Sequence, residues 1–312
     1  MYQNLTEEAA DISDLLETAI RRIQDGDVFD AMEGLLIGLD AVRRSRRTED
    51  WRAVCERRIR QHPIFSLVHQ APFTRRAFDK PRGYPGDAVT LDYIYGLQSL
   101  GEGAPAMVRD LYAWEFQTPS CRGVRARKEL LADHIDLSGT ESRCPRILSL
   151  ACGHVREGRD ADVLLDRRVG GFFAVDPDAK SLAVVDAELG PYGVETILGS
   201  VRSVLSKKVA FRNLDLAYAA GLYDYLSDPV AIQLTARLFA MLRPGGRLLV
   251  PNFNPSLRDI GYLEAFMDWW LIYRDDAAMM RLLGGIPEGE LADVRLFRVP
   301  NDSITVIEVT RR

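Results

Sequence analysis

Cysteine is scarce: the 312 residues include only Cys55, Cys121, Cys144 and Cys152. None stands at C-x-x-C spacing, so neither a metal site nor a redox dithiol is expected, and a cytoplasmic chain would keep all of them reduced. Long apolar runs are missing too. The longest are strand-sized, short of the roughly 18 residues that a spanning helix requires, so no membrane span is expected. The stretch M-Y-Q-N-L-T-E-E-A-A-D at the N-terminus is acidic and has no apolar h-region, which reads as no signal peptide and a cytoplasmic location. There is no excess of basic charge. A net charge of −5 speaks against a nucleic-acid partner held by bulk electrostatics. The clusters Arg43, Arg44, Arg46, Arg47 and Arg57, Arg58, Arg60 read as solvated helix faces. Internal repeats and low-complexity tracts are absent.

What is present is an ordinary globular composition, 47% hydrophobic and 27% charged, long enough for two domains. From Glu7 to His69 apolar residues recur at helical spacing, as in Ile12, Leu15, Leu16, Ala19, Ile23 and again in Met32, Leu35, Leu36, Leu39. This predicts several short helices, with breaks at Gly26-Asp27, Pro63 and Pro72. The loop K-P-R-G-Y-P-G-D, Lys80 to Asp87, follows. Its prolines and glycines fix an unusual backbone that carries Arg82, Tyr84 and Asp87, a polar set suited to a binding loop. Further helices are expected around 91–95 and over 121–135, so residues 1–135 read as an all-helical cap domain.

From residue 136 to 312 strands and helices alternate, the pattern of an α/β sheet. Strands are predicted at 146–151, 171–175, 194–198, 214–219, 247–253, 293–299 and 304–310. Helices are predicted at 156–166, 178–189, 202–207, 228–242 and 260–274, with a loop over 282–289. Only Pro300 to Ser303 separate the last two strands, an antiparallel hairpin with Asn301-Asp302 as turn residues. Within this half, R-I-L-S-L-A-C-G-H-V, Arg146 to Val155, reads as a buried strand running into a turn of small residues where a ligand approaches the backbone. The next strand ends in Asp176, where a doubly wound sheet grips ribose hydroxyls. Cys152 reads as a packing residue.

A sheet that closes with an antiparallel last strand, together with L-R-P-G-G-R-L-L-V from Leu242 to Val250, resembles the class I S-adenosylmethionine-dependent methyltransferases. Pro244 is expected to stop a helix there, and Gly245 and Gly246 to turn the chain into the fifth strand. Four motifs, K-P-R-G-Y-P-G-D, G-L-Y-D-Y-L-S-D, the strand end at Asn252 and D-W-W-L-I-Y-R, are similar to the bacterial 3-hydroxypalmitic acid methyl ester biosynthesis methyltransferases. The resemblance implies a Rossmann-like seven-stranded methyltransferase sheet, a helical cap and S-adenosylmethionine as cofactor. In the family's acid-x-Gly-x-Gly-x-Gly turn, Ser149, Ala151 and Val155 stand at the acid and the first and third glycine positions, and only Gly153 matches.

The resemblance also implies the site. Ala151, Gly153 and Glu157 would line the first turn, Asp176 would hold the ribose, and Pro177, Ser200 and Val201 would lie beside the adenine. Ala220 and Gly221 would face the methionine part, with Arg82, Arg125 or Arg127 on a carboxylate. Tyr84, Tyr223, Asn252, Tyr273 and the Trp269–Trp270 pair are candidates to surround the reacting centre. Asp224 or Asp268 is a candidate base where the acceptor is an amine or hydroxyl. The expected function is methyl transfer by direct displacement to a small molecule or acyl carboxylate. One alternative is cyclisation of the cofactor alone to azetidine-2-carboxylate and methylthioadenosine. Another is a non-catalytic nucleotide-binding or interaction protein.

Overall fold

The structure, a computed structural model, describes residues 2–312, with side chains from Ile12 onward. Met1 and the side chains of the acidic N-terminal stretch, on which the leader reading rests, lie outside the described residues. The chain forms two compact units, Met1–Arg122 with Leu257–Trp270, and Gly123–Ser256 with Leu271–Arg312. The division therefore falls near the start of a helix, Pro119–Glu141, instead of at residue 135, and a late segment joins the helical unit.

In the helical unit, the predicted apolar stripes are core. Ile12, Leu16, Ala19, Ile23, Met32, Leu35, Leu36 and Leu39 are all buried. They lie on two long helices, Tyr2–Gln24 and Val28–Arg44, where several short ones were expected. The helix Thr48–Val54 runs into a π-turn at Cys55–Ile59. Lys80, with φ +49°, ends the helix Pro72–Asp79, and Asp87 caps the helix Ala88–Ile94 by accepting from Val89 N and Thr90 N, both at 2.9 Å. The predicted helix 260–274 is only Ile260–Phe266, and every residue in it is buried. Its backbone packs so closely that a Cβ on Gly261 would stand 3.0 Å from Leu39 O. Trp269 and Trp270 lie beyond its end, past Asp268 at φ +47°.

The second unit is a seven-stranded sheet in the order β3-β2-β1-β4-β5-β7-β6. Its strands are β1 Arg146–Leu150, β2 Gly171–Asp176, β3 Val194–Leu198, β4 Leu214–Tyr218, β5 Leu242–Phe253, β6 Leu291–Arg298 and β7 Ile304–Arg311. β1 to β5 are parallel and β7 is antiparallel to both neighbours. This is the Rossmann-like methyltransferase order, and β1, β2 and β4 are buried almost throughout, as strands covered on both faces must be.

Several local expectations change. The fifth strand starts at Leu242, and Pro244–Gly246 form an irregularity inside it: the pairing with β4 shifts between Leu214↔Leu242 and Leu216↔Arg247. Gly245 has φ +77°, and a Cβ on Gly246 would meet Leu214 O at 2.5 Å. The preceding helix stops at Phe239. The predicted helix 156–166 is a 3-10 turn, Arg156–Asp160, then a short helix, Asp162–Leu165. The expected loop 282–289 contains 3-10 turns at Leu282–Gly285 and Glu288–Glu290, preceded by a helix at Asp276–Arg281.

Candidate cofactor and active site

The turns at the C-terminal ends of β1, β2, β4 and β5 converge in the sheet unit. After β1, Ala151, Gly153 and Val155 have φ values of +52°, +54° and +48°. These are the three glycine positions of the expected turn, so the backbone keeps the left-handed conformations although two of the glycines are gone. For a buried β-branched Val155 this costs on the order of 1–3 kcal/mol. Asp176 fixes the turn: Gly153 N donates to one carboxylate oxygen at 2.9 Å and Asp178 N to the other at 2.8 Å. Burial raises the Asp176 carboxyl, against these two backbone donors. Asp178, not Asp176, caps the following helix. Burial pushes the Cys152 thiol well up, as for an inert packing residue.

Pro177 is exposed at the tip of β2, and beside it Leu198, paired with Asp176, is 67% exposed. Ser200 caps the helix Val201–Leu205 through a reciprocal bond with Ser203, Ser200 N donating at 2.8 Å. Its hydroxyl therefore has a local structural role.

Arg127 and its surroundings form the electrostatic centre. Arg127, on the helix Pro119–Glu141, is 3% exposed and makes no hydrogen bond or ion pair among the described residues. It stands against Gly221, where a Cβ would lie 3.6 Å from the guanidinium Nη2. Its charge acts on two buried carboxyls. Glu157, raised by burial, accepts from the Tyr218 hydroxyl at 2.7 Å. Asp224 is pushed up to about 6 by burial, while the Phe253 N–H at 2.8 Å, Arg127 and Arg274 favour its charged form. The sequence does not single out Tyr218 because it reads as one residue inside the predicted strand 214–219. Its place opposite Ser149 of β1 is a matter of sheet register, which the sequence does not show.

Arg274 ties three motifs into one knot. Almost fully buried, it donates to Tyr223 O and Asn252 Oδ1, both at 2.7 Å, and to Leu226 O at 2.5 Å and Asp228 Oδ1 at 2.8 Å. Asn252 Nδ2 in turn donates to Ile272 O at 2.9 Å. Tyr223 lies in the core with its hydroxyl 3.0 Å from Thr235 Oγ1 and is raised by burial, which makes it a packing residue of the sheet. Tyr273 is half-buried and Ala220 partly exposed.

Arg82, Tyr84 and Asp268 belong to the helical unit. Arg82 and Tyr84 are half-buried in their loop. Asp268 accepts from Lys80 Nζ at 2.5 Å, Arg60 Nη2 at 2.7 Å and Trp270 Nε1 at 2.8 Å. Burial would raise its carboxyl, but these three donors together hold it below the usual range, which makes it a weak base. Trp269 is buried, and Arg52 lies over the Trp270 ring at 4.1 Å. Among the described residues no cluster of His, Cys, Asp and Glu fits a metal ion, and no helix is long and apolar enough to cross a membrane.

No family model matches the chain, and no curated protein matches it in sequence. Among solved structures it is similar to a possible exported protein from Bordetella parapertussis, with a TM-score of 0.58 and 16% identity over 86% of this chain and 98% of that one. It is also similar to the magnesium protoporphyrin IX methyltransferase of Synechocystis PCC 6803 with bound SAH, at a TM-score of 0.48 and 11% identity over 76% and 98% of the two chains. A third is the N-methyltransferase NodS of Bradyrhizobium japonicum, at 0.42 and 11% over 60% and 96%. The Bordetella protein shares the fold along nearly its whole length.

Proposed function

We propose that the protein is an S-adenosylmethionine-dependent methyltransferase that acts directly on a small molecule or acyl carboxylate, in the cytoplasm. The observation that carries this reading is the buried, unpaired guanidinium of Arg127 at the C-terminal edge of a methyltransferase-type sheet. An unpaired buried charge costs several kcal/mol, so a site that keeps one is shaped for an anion. The planar fork suits a carboxylate such as that of the cofactor's methionine part. Asp176 would take the ribose, the turn at Ala151 and Gly153 would admit the backbone-facing side, and Pro177, Ser200 and Val201 would flank the adenine. Ala220 and Gly221 leave room beside Arg127, with Glu157 behind.

The cofactor supplies, when bound, a methyl group on a positively charged sulfur. The chain's residues need only hold it, align the acceptor and exclude water. The buried carboxyls of Glu157 and Asp224 favour a cationic ligand. Asp224, at about 6, is ionised at neutral pH yet more basic than an ordinary aspartate, which serves a hydroxyl or amine acceptor. A carboxylate acceptor needs no base.

The test is incubation with S-adenosylmethionine, with and without added carboxylic acids, followed by mass spectrometry. S-adenosylhomocysteine formed only with an acceptor is the expected result. Methylthioadenosine formed without acceptor would replace methyl transfer by cyclisation. Absence of both products, together with no heat of binding at millimolar cofactor, would overturn an enzymatic role.

A further inference from the structure

A second charged concavity lies at the opposite edge of the same sheet. Lys207, Arg212, Arg237 and Arg311 line it together with Phe211 and Asn213, around a cleft of about 550 Å³. It borders the starts of β4 and β5, the N-terminal ends of the parallel strands, whereas the turns of the cofactor site follow the C-terminal ends. Ligands of such sheets collect at the C-terminal ends, so this cleft is a separate site.

The charges are arranged to receive something. Arg311 is held in place by donating to Leu242 O at 2.8 Å and Ala240 O at 3.2 Å, and its charge is paired with Glu290 Oε2 at 3.3 Å. Lys207 and Arg212 are exposed and make no side-chain hydrogen bond or ion pair among the described residues. No acidic residue lines the cleft. The nearby Asp215 is already committed to Arg243 at 2.6 Å and to Arg146 N at 2.8 Å. The loop that carries the first two cations is pinned, not loose. Phe211 stacks on Phe173 with ring centroids 4.6 Å apart, and Lys207 and Asn213, at φ +63° and +55°, set its ends.

One exposed cation is largely screened beyond about 8 Å at physiological salt. Lys207, Arg212 and Arg237, which make no ion pair among the described residues, converge on one concavity and focus the field, on a chain of net charge −5 that repels anions elsewhere. The volume is that of a small-ligand pocket. A dicarboxylate would leave one of these three charges unmatched, while a polyphosphate chain matches all three and suits both the guanidinium fork and the ammonium point charge.

We propose that this cleft binds a small ligand bearing a polyphosphate chain, either free or carried by a nucleoside. The test is calorimetry on the full chain at physiological salt with inorganic tripolyphosphate, ATP and, as a control, sulfate. Tripolyphosphate should bind at least about tenfold more tightly than sulfate, and Lys207→Gln with Arg212→Gln should lower that affinity about tenfold or more. Binding of S-adenosylmethionine and the melting temperature should not change in that variant. ATP binding tighter than tripolyphosphate supports the nucleoside form, and equal binding supports the free chain. Affinity no better than that of sulfate, or insensitive to the double substitution, would overturn the proposal, as would an oligonucleotide binding more tightly than either.

Discussion

In the helical unit the buried carboxylate of Glu264 accepts from Trp51 Nε1 and Arg43 Nε, both at 2.7 Å, and Asp268 is held by Arg60, Lys80 and Trp270. In the sheet unit the equally buried Arg127 has neighbours that act on it only by charge. The first arrangement is closed: each charge is satisfied by another side chain, and removing a member leaves the others stranded. The second is open, and what would close it has to come from outside the chain. The difference separates charge that holds a fold from charge that holds a ligand. Glu115 is a third case. Thr74 and Tyr262 both donate to its Oε1, which favours the charged form, but its Oε2 is buried without a hydrogen-bond partner and burial prevails, pushing the carboxyl up to about 8.

Substitutions that break closed knots should therefore act on stability, and the largest effect is expected at Glu264. Glu264→Ala leaves Trp51 and Arg43 without their acceptor and should lower unfolding free energy by about 3 kcal/mol in denaturant titrations. A loss below about 1 kcal/mol would mean that the knot is not closed.

Glu115 predicts a pH effect. The folded-state carboxyl, at about 8, lies above its ordinary value near 4.5, so its contribution is complete below 4.5 and is lost as pH rises through 8. Thermal melts should show stability falling across that window, and Glu115→Gln should flatten the fall. A wild-type melting temperature that stays level from pH 5 to 9 would contradict the assignment.

The smallest effect concerns the strained turn. Ala151→Gly relieves a left-handed alanine and should stabilise the protein by about 1 kcal/mol, less the entropy that glycine loses on folding. Melting temperature reports it, and destabilisation would show that the alanine methyl packs better than its backbone is strained.

Much of the sheet was legible in the sequence because strands covered on both faces are apolar runs, as in Ile147–Leu150 and Phe172–Val175. The start of β5 was not, since Pro244–Gly246 look like a stop and are instead a bulge inside the strand. The helix Ile260–Phe266 was overextended because a helix buried on every side has no polar face to mark its end, and Asp268 turns the chain by a positive φ that no composition rule reveals. The eroded glycine turn concealed its own integrity: Ala151 and Val155 hide, at the level of letters, left-handed conformations that the fold retains. Arg127 was legible as a residue able to grip a carboxylate. Its isolation was not, because whether a charge has a partner is a property of packing. Tyr218 and the linkage of Tyr223, Asn252 and Arg274 are likewise tertiary, and the latter gives three of the recurring motifs a shared structural reason.

The most direct measurement is calorimetry of S-adenosylmethionine binding to the wild-type protein and to Arg127→Met, with melting temperatures alongside. An open charge that serves a ligand predicts at least about a 30-fold loss of affinity, roughly 2 kcal/mol or more, with stability unchanged or raised because an unpaired buried charge has been removed. Unchanged affinity with a collapsed melting temperature would place Arg127 among the closed, structural charges and contradict the account.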